Sequence, residues 1–234
     1  NTIFAAADNG AKTFFSFAIG DDEYGELFTK SFRDRESISF KKTEYRTGVC
    51  LIFVTPDGNR TMAANLGANT QLNSDCLDFE QLRNAEFLVF DNFTLSAISN
   101  FDDLKFLYEC PAEIKICFGV SDVNLVDENL DLLDKLFQLK LFLIYGNIEE
   151  IRALQKKLQF DTENILQSEG ENGAMFNQLK VNAPDIISVN TNGAGDALVG
   201  TFLAKYKELS TEICLKQAVE YASKVCCEKG PRLT

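Results

Sequence analysis

Asn190-Thr191-Asn192-Gly193-Ala194-Gly195-Asp196 is the stretch of sequence that decides the fold class of this chain. The mostly apolar segment Ile186–Val189 before it is typical of the end of a strand, and the apolar run Ala197–Tyr206 after it is typical of a helix. The glycines are therefore expected to form a tight turn, because glycine adopts backbone conformations that other residues avoid. A turn from a strand into a helix indicates an α/β fold, in which the two kinds of element alternate.

The same turn predicts a binding site for an anion. The backbone N–H groups of Gly193, Ala194 and Gly195 would point at one spot beside the start of the helix, where the helix dipole adds positive potential. Asp196 falls in the first turn, where its carboxylate can accept a proton from an alcohol next to a phosphoryl group. A glycine turn followed by Asp is more often an ordinary helix start, so this interpretation depends on the rest of the chain.

Composition limits what kind of protein this is. Its 234 residues are 45% apolar, which is enough for one sizeable core. The 35 acidic and 23 basic residues give a net charge of −12, which opposes binding to the backbone of nucleic acid. Histidine is absent, which excludes His-dependent hydrolase triads and His-ligated zinc sites. We therefore expect no nucleic-acid partner, and any catalysis must use carboxylates, lysines, hydroxyls or thiols.

The cysteines and the apolar segments indicate a compartment. The seven cysteines form an odd set without C-x-x-C spacing, and several lie in apolar runs, as expected for free thiols in reducing surroundings. The apolar stretch Leu139–Tyr145 is far too short to cross a bilayer, and no basic-then-apolar signal opens the chain. The sequence therefore predicts a cytoplasmic protein with no membrane partner.

Apolar runs of strand length recur along the chain and alternate with helical patterns. They are Phe14–Ile19, Val49–Thr55, Phe87–Phe90, Ile114–Val120, Leu139–Tyr145 and Ile165–Gln167. The segment Leu95–Cys110 has the spacing of an amphipathic crossover helix, which implies parallel neighbouring strands. The alternation predicts an α/β fold with a doubly wound, mostly parallel sheet flanked by helices and an active site at the carboxyl ends of the strands.

The segment Ile38–Asn69 has a different pattern. Short alternating segments surround the turn Thr55–Asn59, whose Pro and Gly residues are typical of a β-turn. We expect hairpin structure that projects from the edge of the sheet as a small β lid. The opening run Thr2–Ala11 is helix-like, and no linker or internal repeat interrupts residues 1–234, so a single domain is expected.

Several of these segments match motifs of one known family. The stretch Asn190–Asp196 is similar to the D-T-x-G-A-G-D signature of the ribokinase-like (PfkB) carbohydrate kinases, which include the adenosine kinases. Further segments resemble family motifs in the family's order: Gly20–Gly25, Thr47–Gly48, Asp57–Thr61 and Leu66–Asn69. The resemblance covers essentially the whole chain. It implies transfer of the γ-phosphoryl group of ATP to a primary hydroxyl of a sugar or nucleoside, with Asp196 as the catalytic base.

The resemblance also implies sites for ATP and Mg²⁺. The segment Gly146–Glu150 resembles the family's G-N-x-x-E motif, in which Asn147 and Glu150 would organise Mg²⁺ through water. The segment Ser168–Gly173 resembles the T-x-G-x-x-G turn that borders the nucleotide, with Ser168 in place of Thr. The residues implied to contact the nucleotide are Asn147, Glu150, Ser168, Gly170 and Gly173, together with Ala222 and Cys226 on a C-terminal helix over Ala218–Cys227 beside the adenine.

The acceptor side of the site is represented by few residues. Asn1-Thr2 resembles the end of the family's G-G-x-x-x-N motif, whose Asn contacts hydroxyl groups of the substrate. Asn1 and Asp196 would therefore bind the acceptor, and Arg60 in the lid segment is a further candidate. The preceding strands, a substrate-binding Asp and part of the lid are expected to be missing from these 234 residues.

Asn190 departs from the central motif. The family has Asp at this position, where it helps to bind a monovalent cation in many members. An amide offers only a neutral oxygen, so a K⁺ requirement is doubtful and we expect little activation by this ion.

Alternatives remain open for the activity. Thr55–Met62 resembles most the adenosine kinases and their bacterial sugar-kinase neighbours, so an adenosine kinase specifically is one alternative. Asn190 and the missing N-terminal residues also allow a catalytically silent, ligand-binding relative. A dinucleotide-dependent oxidoreductase would use a similar α/β fold, but no G-x-G-x-x-G follows an early strand. For assembly, the resemblance implies a homodimer formed through the lid.

Overall fold

The protein is described by a computed structural model for residues 1–32, 36–55, 60–97, 107, 111–160, 162 and 164–233. The helices in that part of the chain are α1 (Thr2–Asp8), α2 (Glu23–Lys30), α3 (Phe79–Arg83), α4 (Asn92–Ala97), α5 (Val123–Glu128), α6 (Leu130–Leu136), α7 (Ile148–Lys157), α8 (Ala194–Lys205) and α9 (Thr211–Cys226). The strands are β1 (Thr13–Gly20), β2 (Glu36–Thr43), β3 (Val49–Val54), β4 (Arg60–Asn65), β5 (Phe87–Asp91), β6 (Lys115–Gly119), β7 (Leu143–Asn147), β8 (Ile165–Ser168), β9 (Ala174–Phe176) and β10 (Leu179–Val181). None of these helices is long and apolar enough to cross a lipid bilayer.

A six-stranded sheet forms the centre of the fold, in the spatial order β10-β9-β8-β7-β6-β5. The strands β5 to β8 run parallel, whereas β9 and β10 are antiparallel at one edge. Parallel neighbours need crossover connections, which helices provide on the faces of the sheet. The carboxyl ends of the parallel strands therefore meet along one edge, where most of the candidate site residues lie.

Two apolar layers pack against the two faces of this sheet. Successive strand residues point to opposite faces, so Phe118 and Ile144 belong to one layer, whereas Cys117 and Leu143 belong to the other. Helices α5, α6 and α7 cover the first face, and α8 and α9 cover the second. Full burial of such a large side chain stabilises a protein by roughly 1.5–3 kcal/mol. Helices on both faces confirm the doubly wound α/β fold.

The remaining strands lie outside this sheet. β1 and β2 form a parallel pair, and β3 and β4 form an antiparallel hairpin in which every residue of β3 is exposed. The hairpin lies in the segment predicted to form a lid, and residues 56–59, where a turn was predicted, lie outside the described residues. The expected hairpin structure does not extend back to Ile38, because Ile38–Thr43 belongs to β2 and pairs in parallel with β1. Stacking of Phe40 on Phe17, with ring centroids 5.5 Å apart, favours that pairing.

The expected strand end at Ile186–Val189 is wrong. The segment is irregular and exposed, and the side chain of Ile187 is 90% exposed. Instead of pairing with a strand, the backbone N–H of Val189 donates to the carbonyl of Cys226 at the end of α9 (2.8 Å). An apolar run therefore does not specify a strand here, because a helix end satisfies its backbone.

Two further predictions differ in their bounds. The strand predicted over Leu139–Tyr145 begins only at Leu143, because the N–H of Leu139 still donates to the carbonyl of Leu136 (2.9 Å) and continues the end of α6. The helix predicted over Leu95–Cys110 is described only at Leu95–Ala97, within α4, and at the helical residue 107. The rest of that prediction lies outside the described residues.

Candidate active site

The glycine turn begins α8 in a conformation that only glycine accepts readily. Gly193 is the N-cap residue with φ +80°, and a Cβ atom at this position would lie 2.1 Å from the carbonyl oxygen of Pro231. The first amides of a helix have no acceptor within the helix, although the N–H of Ala194 donates to Thr191 at 3.3 Å. A Cβ atom at Gly195 would meet no atom within 4 Å. The first turn of α8 therefore borders open space that suits an anion.

Asp196 lies in that first turn and is held by two residues from the other end of the chain. The hydroxyl of Thr2 donates to Oδ1 at 2.5 Å, and the side-chain amide of Asn1 donates to Oδ2 at 3.2 Å. Each carboxylate oxygen accepts up to two hydrogen bonds. One acceptor position on each oxygen therefore remains for an incoming hydroxyl group.

Asp91, at the end of β5, is a second carboxyl group near Asp196 that sequence reasoning missed. It accepts hydrogen bonds from the N–H and the hydroxyl of Thr94, each at 2.9 Å. Burial raises the pKa of Asp91, the negative charge of Asp196 raises it further, and the bonds from Thr94 and Ser121 act in the opposite direction. The signal was available, because an acid directly follows the predicted strand Phe87–Phe90.

Tyr145 on β7 faces the same pair of acids. Burial raises the pKa of its phenol well above the ordinary value, and the charges of Asp91 and Asp196 add to this effect. The phenol therefore remains protonated, as a hydrogen-bond donor. The sequence contained no signal for this residue, since a tyrosine in an apolar run normally belongs to the core.

Asn147 and Glu150 form the N-terminal cap of α7. The side-chain oxygen of Asn147 accepts from the N–H groups of Glu149 and Glu150 (2.9 Å each), and Glu150 Oε2 accepts from the N–H of Asn147 (2.8 Å). The Asn147 amide also donates to Glu150 Oε1 (2.7 Å). This reciprocal capping box fixes both side chains at the carboxyl end of β7.

Glu150 lies close to other negative charges, an environment that suits a cation. Burial raises the pKa of Glu150, and the nearby charges of Asp122 and Glu149 contribute. A divalent cation would relieve this crowding of negative charge. The described residues contain no group of three or more acidic, His or Cys side chains that could hold a metal ion.

The segments around Asn147 and Ser168 are brought together by the pairing of β7 with β8, in which these two residues are opposite each other. They border a groove of about 370 Å³, lined by Asn147, Ile148, Glu149, Ser168, Glu169, Gly170, Asn172 and Lys180. Lys180 contacts Glu169 at 2.7 Å and lowers the pKa of that carboxyl. Gly173 is buried behind the groove, where a Cβ atom would collide with the carbonyl of Val181.

The loop that leads into the glycine turn rests on the end of α9. The Cys226 carbonyl accepts from the N–H groups of Val189 (2.8 Å) and Asn190 (3.1 Å). The side-chain oxygen of Asn190 accepts from the N–H of Asn192 (3.0 Å), and its amide donates to the carbonyl of Lys229 (2.9 Å). The carbonyl end of α9 thus fixes the approach to α8.

The remaining residues predicted to contact ATP or the acceptor do not line the groove near Ser168. Ala222 is half-buried on α9 against the apolar core, Cys226 is half-exposed, and neither lines the groove near Ser168. Arg60 begins β4 and pairs with Val54, while its side chain lies outside the described part of the structure. The site residues on the phosphoryl and metal side are therefore arranged along the carboxyl edge of the sheet, and the proposed adenine contacts follow α9.

Comparisons with known proteins agree with this fold. The family model for pfkB family carbohydrate kinases matches residues 1–234. An uncharacterized sugar kinase of Archaeoglobus fulgidus is 24% identical over 240 residues, which cover 94% of this chain and 93% of that protein.

Solved structures show the same architecture. The adenosine kinase from Sinorhizobium meliloti has a TM-score of 0.89 at 24% identity, covering 100% of this chain and 78% of that one. A putative ribokinase II from E. coli in complex with ATP and Mg²⁺ has a TM-score of 0.81 at 17% identity, covering 98% and 82% of the two chains. Both likenesses extend over nearly the whole chain, as does the family match. The chain belongs to the pfkB family of carbohydrate kinases and is a carbohydrate or nucleoside kinase.

Proposed function

We propose that this enzyme transfers the γ-phosphoryl group of ATP to a primary hydroxyl group of a sugar or a nucleoside. The observation that carries this proposal is the position of Asp196, in the first turn of α8 next to open space at Gly195. A carboxylate beside a helix N-terminus places a proton acceptor next to an anion site. Both are needed when an alcohol attacks a phosphoryl group.

The proposed reaction is a single displacement. The alcohol oxygen bonds to the γ-phosphorus as the bond from that phosphorus to the β–γ bridging oxygen breaks, ADP leaves, and the alcohol proton passes to Asp196. The transition state spreads negative charge over the phosphoryl oxygens. The amides at Gly193, Ala194 and Gly195 would stabilise that charge as an anion hole. Because Ala194 already shares its N–H with Thr191, Gly195 is expected to contribute more.

Mg²⁺ is proposed to act at the capping box of α7. Asn147 and Glu150 would hold it through water, for the reasons of charge given above. When bound, Mg²⁺ neutralises charge on the phosphates of ATP. The protein's own part is to hold the Asn147 and Glu150 side chains in one orientation.

The groove beside Ser168 is proposed to hold the nucleotide. Ser168 and Gly170 line it, Gly173 fixes the turn behind it, and Lys180, which is paired with Glu169, also lines it. Ala222 and Cys226 are proposed to lie along the adenine from α9.

K⁺ is proposed to have little effect because of Asn190. Its amide donates to the carbonyl of Lys229, so an N–H group stands where a cation would otherwise join a carboxylate to that carbonyl. The amide thus replaces part of the attraction that a bound ion would supply.

The acceptor would contact Asp196 and Asn1, with Arg60 from the lid as a further contact. The lid itself is proposed to join two copies of the chain. All of β3 and residues 61–65 of β4 are exposed, and the large apolar side chains include Leu51, Phe53 and Val54, which are 57%, 58% and 63% exposed. Leu51 and Phe53 share one face of β3, and a second copy against that face would remove both side chains from water.

A panel of acceptors tests the proposal. Purified protein would be incubated with [γ-³²P]ATP, Mg²⁺ and separate arms of ribose, deoxyribose, fructose and adenosine, and labelled product would be resolved from ATP. Product in one sugar arm supports a sugar kinase, and product only with adenosine supports an adenosine kinase. Stabilisation by an acceptor without any product would indicate a silent ligand-binding relative and contradict the proposed reaction.

A further inference from the structure

Helix α1 lies across α8 at very short range. A Cβ atom at Gly200 would lie 2.3 Å from the carbonyl oxygen of Thr2 and 2.9 Å from the Cβ of Ala5. Gly200 is buried in the middle of α8, one turn after Asp196. Only glycine at this position lets the two helix backbones approach so closely. The first turn of α1 therefore packs closely against the turn of α8 that follows the proposed base.

Polar contacts at the far end of α1 hold it in this position. The side-chain amide of Asn9 donates to the hydroxyl of the fully buried Thr201 (3.0 Å) and to the carbonyl of Ala5 (2.8 Å). The phenol of Tyr221, on α9, donates to Asp8 (2.6 Å). The helix is thus fixed at both ends relative to α8 and α9, which limits the directions in which Thr2 can point.

The hydroxyl of Thr2 makes the shorter of the two side-chain contacts to Asp196, at 2.5 Å, compared with 3.2 Å for Asn1. A hydroxyl that donates to a carboxylate makes a charge-assisted bond, which is roughly twice as strong as a neutral one. The bond engages Oδ1 and fixes the rotation of the carboxylate about its last single bond. With Oδ1 held, Oδ2 presents its remaining acceptor position in one fixed direction.

We propose that Thr2 is a positioning residue for Asp196: its hydroxyl holds one carboxylate oxygen so that the other meets the acceptor hydroxyl in line with the phosphoryl group. The proposal rests on the role of Asp196 as the base. In this role Thr2 acts through Asp196, to which its hydroxyl donates. A misplacement of 1 Å at a reacting group can lower a rate by about 10²-fold, so loss of this bond should mainly lower kcat.

The test compares Thr2→Val, which keeps the shape and removes the donor, with Thr2→Ser, which keeps the donor. We expect Thr2→Val to lower kcat by roughly tenfold with the KM for ATP within about twofold, and Thr2→Ser to retain most of the activity. The matched control is Asn9→Ala, which loosens the other end of α1 and leaves the Thr2 bond in place. Thr2→Ala is the second variant in case Val does not fold.

A kcat for Thr2→Val within twofold of the unaltered protein would overturn the proposal. The proposal would also be overturned if Thr2→Ser and Asn9→Ala lowered kcat as much as Thr2→Val does, because α1 would then act only as a structural support. A spectroscopic readout covers the case in which the unaltered protein phosphorylates nothing, which would refute the base role of Asp196 itself. The carboxyl ¹³C resonance of Asp196, assigned by its loss in Asp196→Asn, should move in Thr2→Val and not in Thr2→Ser, and an unmoved resonance would exclude the bond.

Discussion

The glycine turn and the lid hairpin differ in how their positions are fixed. Around the turn, the fixing contacts come from distant parts of the chain: Thr2 bonds to Asp196, Cys226 bonds to Asn190, and Pro231 crowds Gly193. The hairpin is formed by the pairing of β3 with β4, two strands that are close in sequence, and all of β3 is exposed. Chemistry that needs atoms held within tenths of an ångström lies where the long-range contacts converge. A surface for recognition can stand on local pairing alone.

The largest expected effect is at the centre of the turn. We expect Asp196→Asn to lower turnover by about 10²–10⁴-fold while ATP binds almost as before, because the carboxylate acts on the acceptor alcohol. Transfer of the radiolabel from ATP measures turnover, and calorimetry measures the affinity for ATP. The exposed Asp185→Asn is the matched control. More than a tenth of the original turnover in Asp196→Asn would remove this residue from the mechanism.

Next in size is the metal dependence at the cap of α7. Glu150→Gln should raise the Mg²⁺ concentration for half-maximal rate by roughly tenfold, because loss of a residue that orients a metal's surroundings commonly costs 10–100-fold. The exposed Glu128→Gln, at the end of α5 and not among the residues that line the groove, controls for charge alone. Equal metal dependence in the two variants would make the Asn147–Glu150 box an ordinary helix cap.

The loop before the glycine turn can be tested by restoring the family's Asp at Asn190. The unaltered enzyme should change its turnover less than about threefold, or about 0.6 kcal/mol, when K⁺ replaces a bulky organic cation at constant ionic strength. Asn190→Asp should increase that dependence, because its carboxylate would face the Lys229 carbonyl and need a cation between them. Asn192→Asp is the control. Strong K⁺ activation that Asn190→Asp does not enhance would show that backbone carbonyls hold the ion.

A smaller effect is expected on stability at Asp91. Its folded-state pKa is raised, so protonated Asp91 stabilises the fold below the unfolded value of about 3.9, and this contribution is lost as pH rises through the folded pKa. Asp91→Asn should therefore increase the free energy of unfolding at pH 7 and lose this advantage in acid. Urea denaturation at pH 7 and at a pH below about 3.9 measures the free energy of unfolding under both conditions, with the exposed Asp134→Asn as control. No gain at pH 7 would refute the sign.

The smallest effect on each single chain is expected in the hairpin. Phe53→Ser should change the free energy of unfolding by no more than about 0.5 kcal/mol at a concentration where dimers dissociate, because the ring is exposed. The buried Phe118→Ala should lose about 3–5 kcal/mol. Sedimentation at high concentration should give the mass of two copies for the unaltered protein and of one for Phe53→Ser. A monomer in both would refute the lid dimer.

The sequence predicted best where chemistry and local pattern coincide. A helix directly after the glycine turn and a hairpin in the lid segment follow from glycine placement and alternation, and the structure contains both, although α8 begins at Ala194 and not at the predicted Ala197. The role of Ile186–Val189 could not be predicted, because three apolar residues and a serine cannot show that a distant helix end will satisfy their backbone. Likewise Thr2 and Asp196 are 194 positions apart, so nothing local announces their bond. The roles of the site residues stay predictions until the variants are measured.

The carbonyl of Cys226 couples the end of α9 to the loop before the glycine turn. It is one of the last carbonyls of α9, which have no donor within the helix, and the amides of Val189 and Asn190 supply donors instead. Fraying of the last helical turn and release of the loop are therefore one opening event. Hydrogen exchange should then give the two loop amides and the last-turn amides of α9 the same protection factor, as a single cooperative unit.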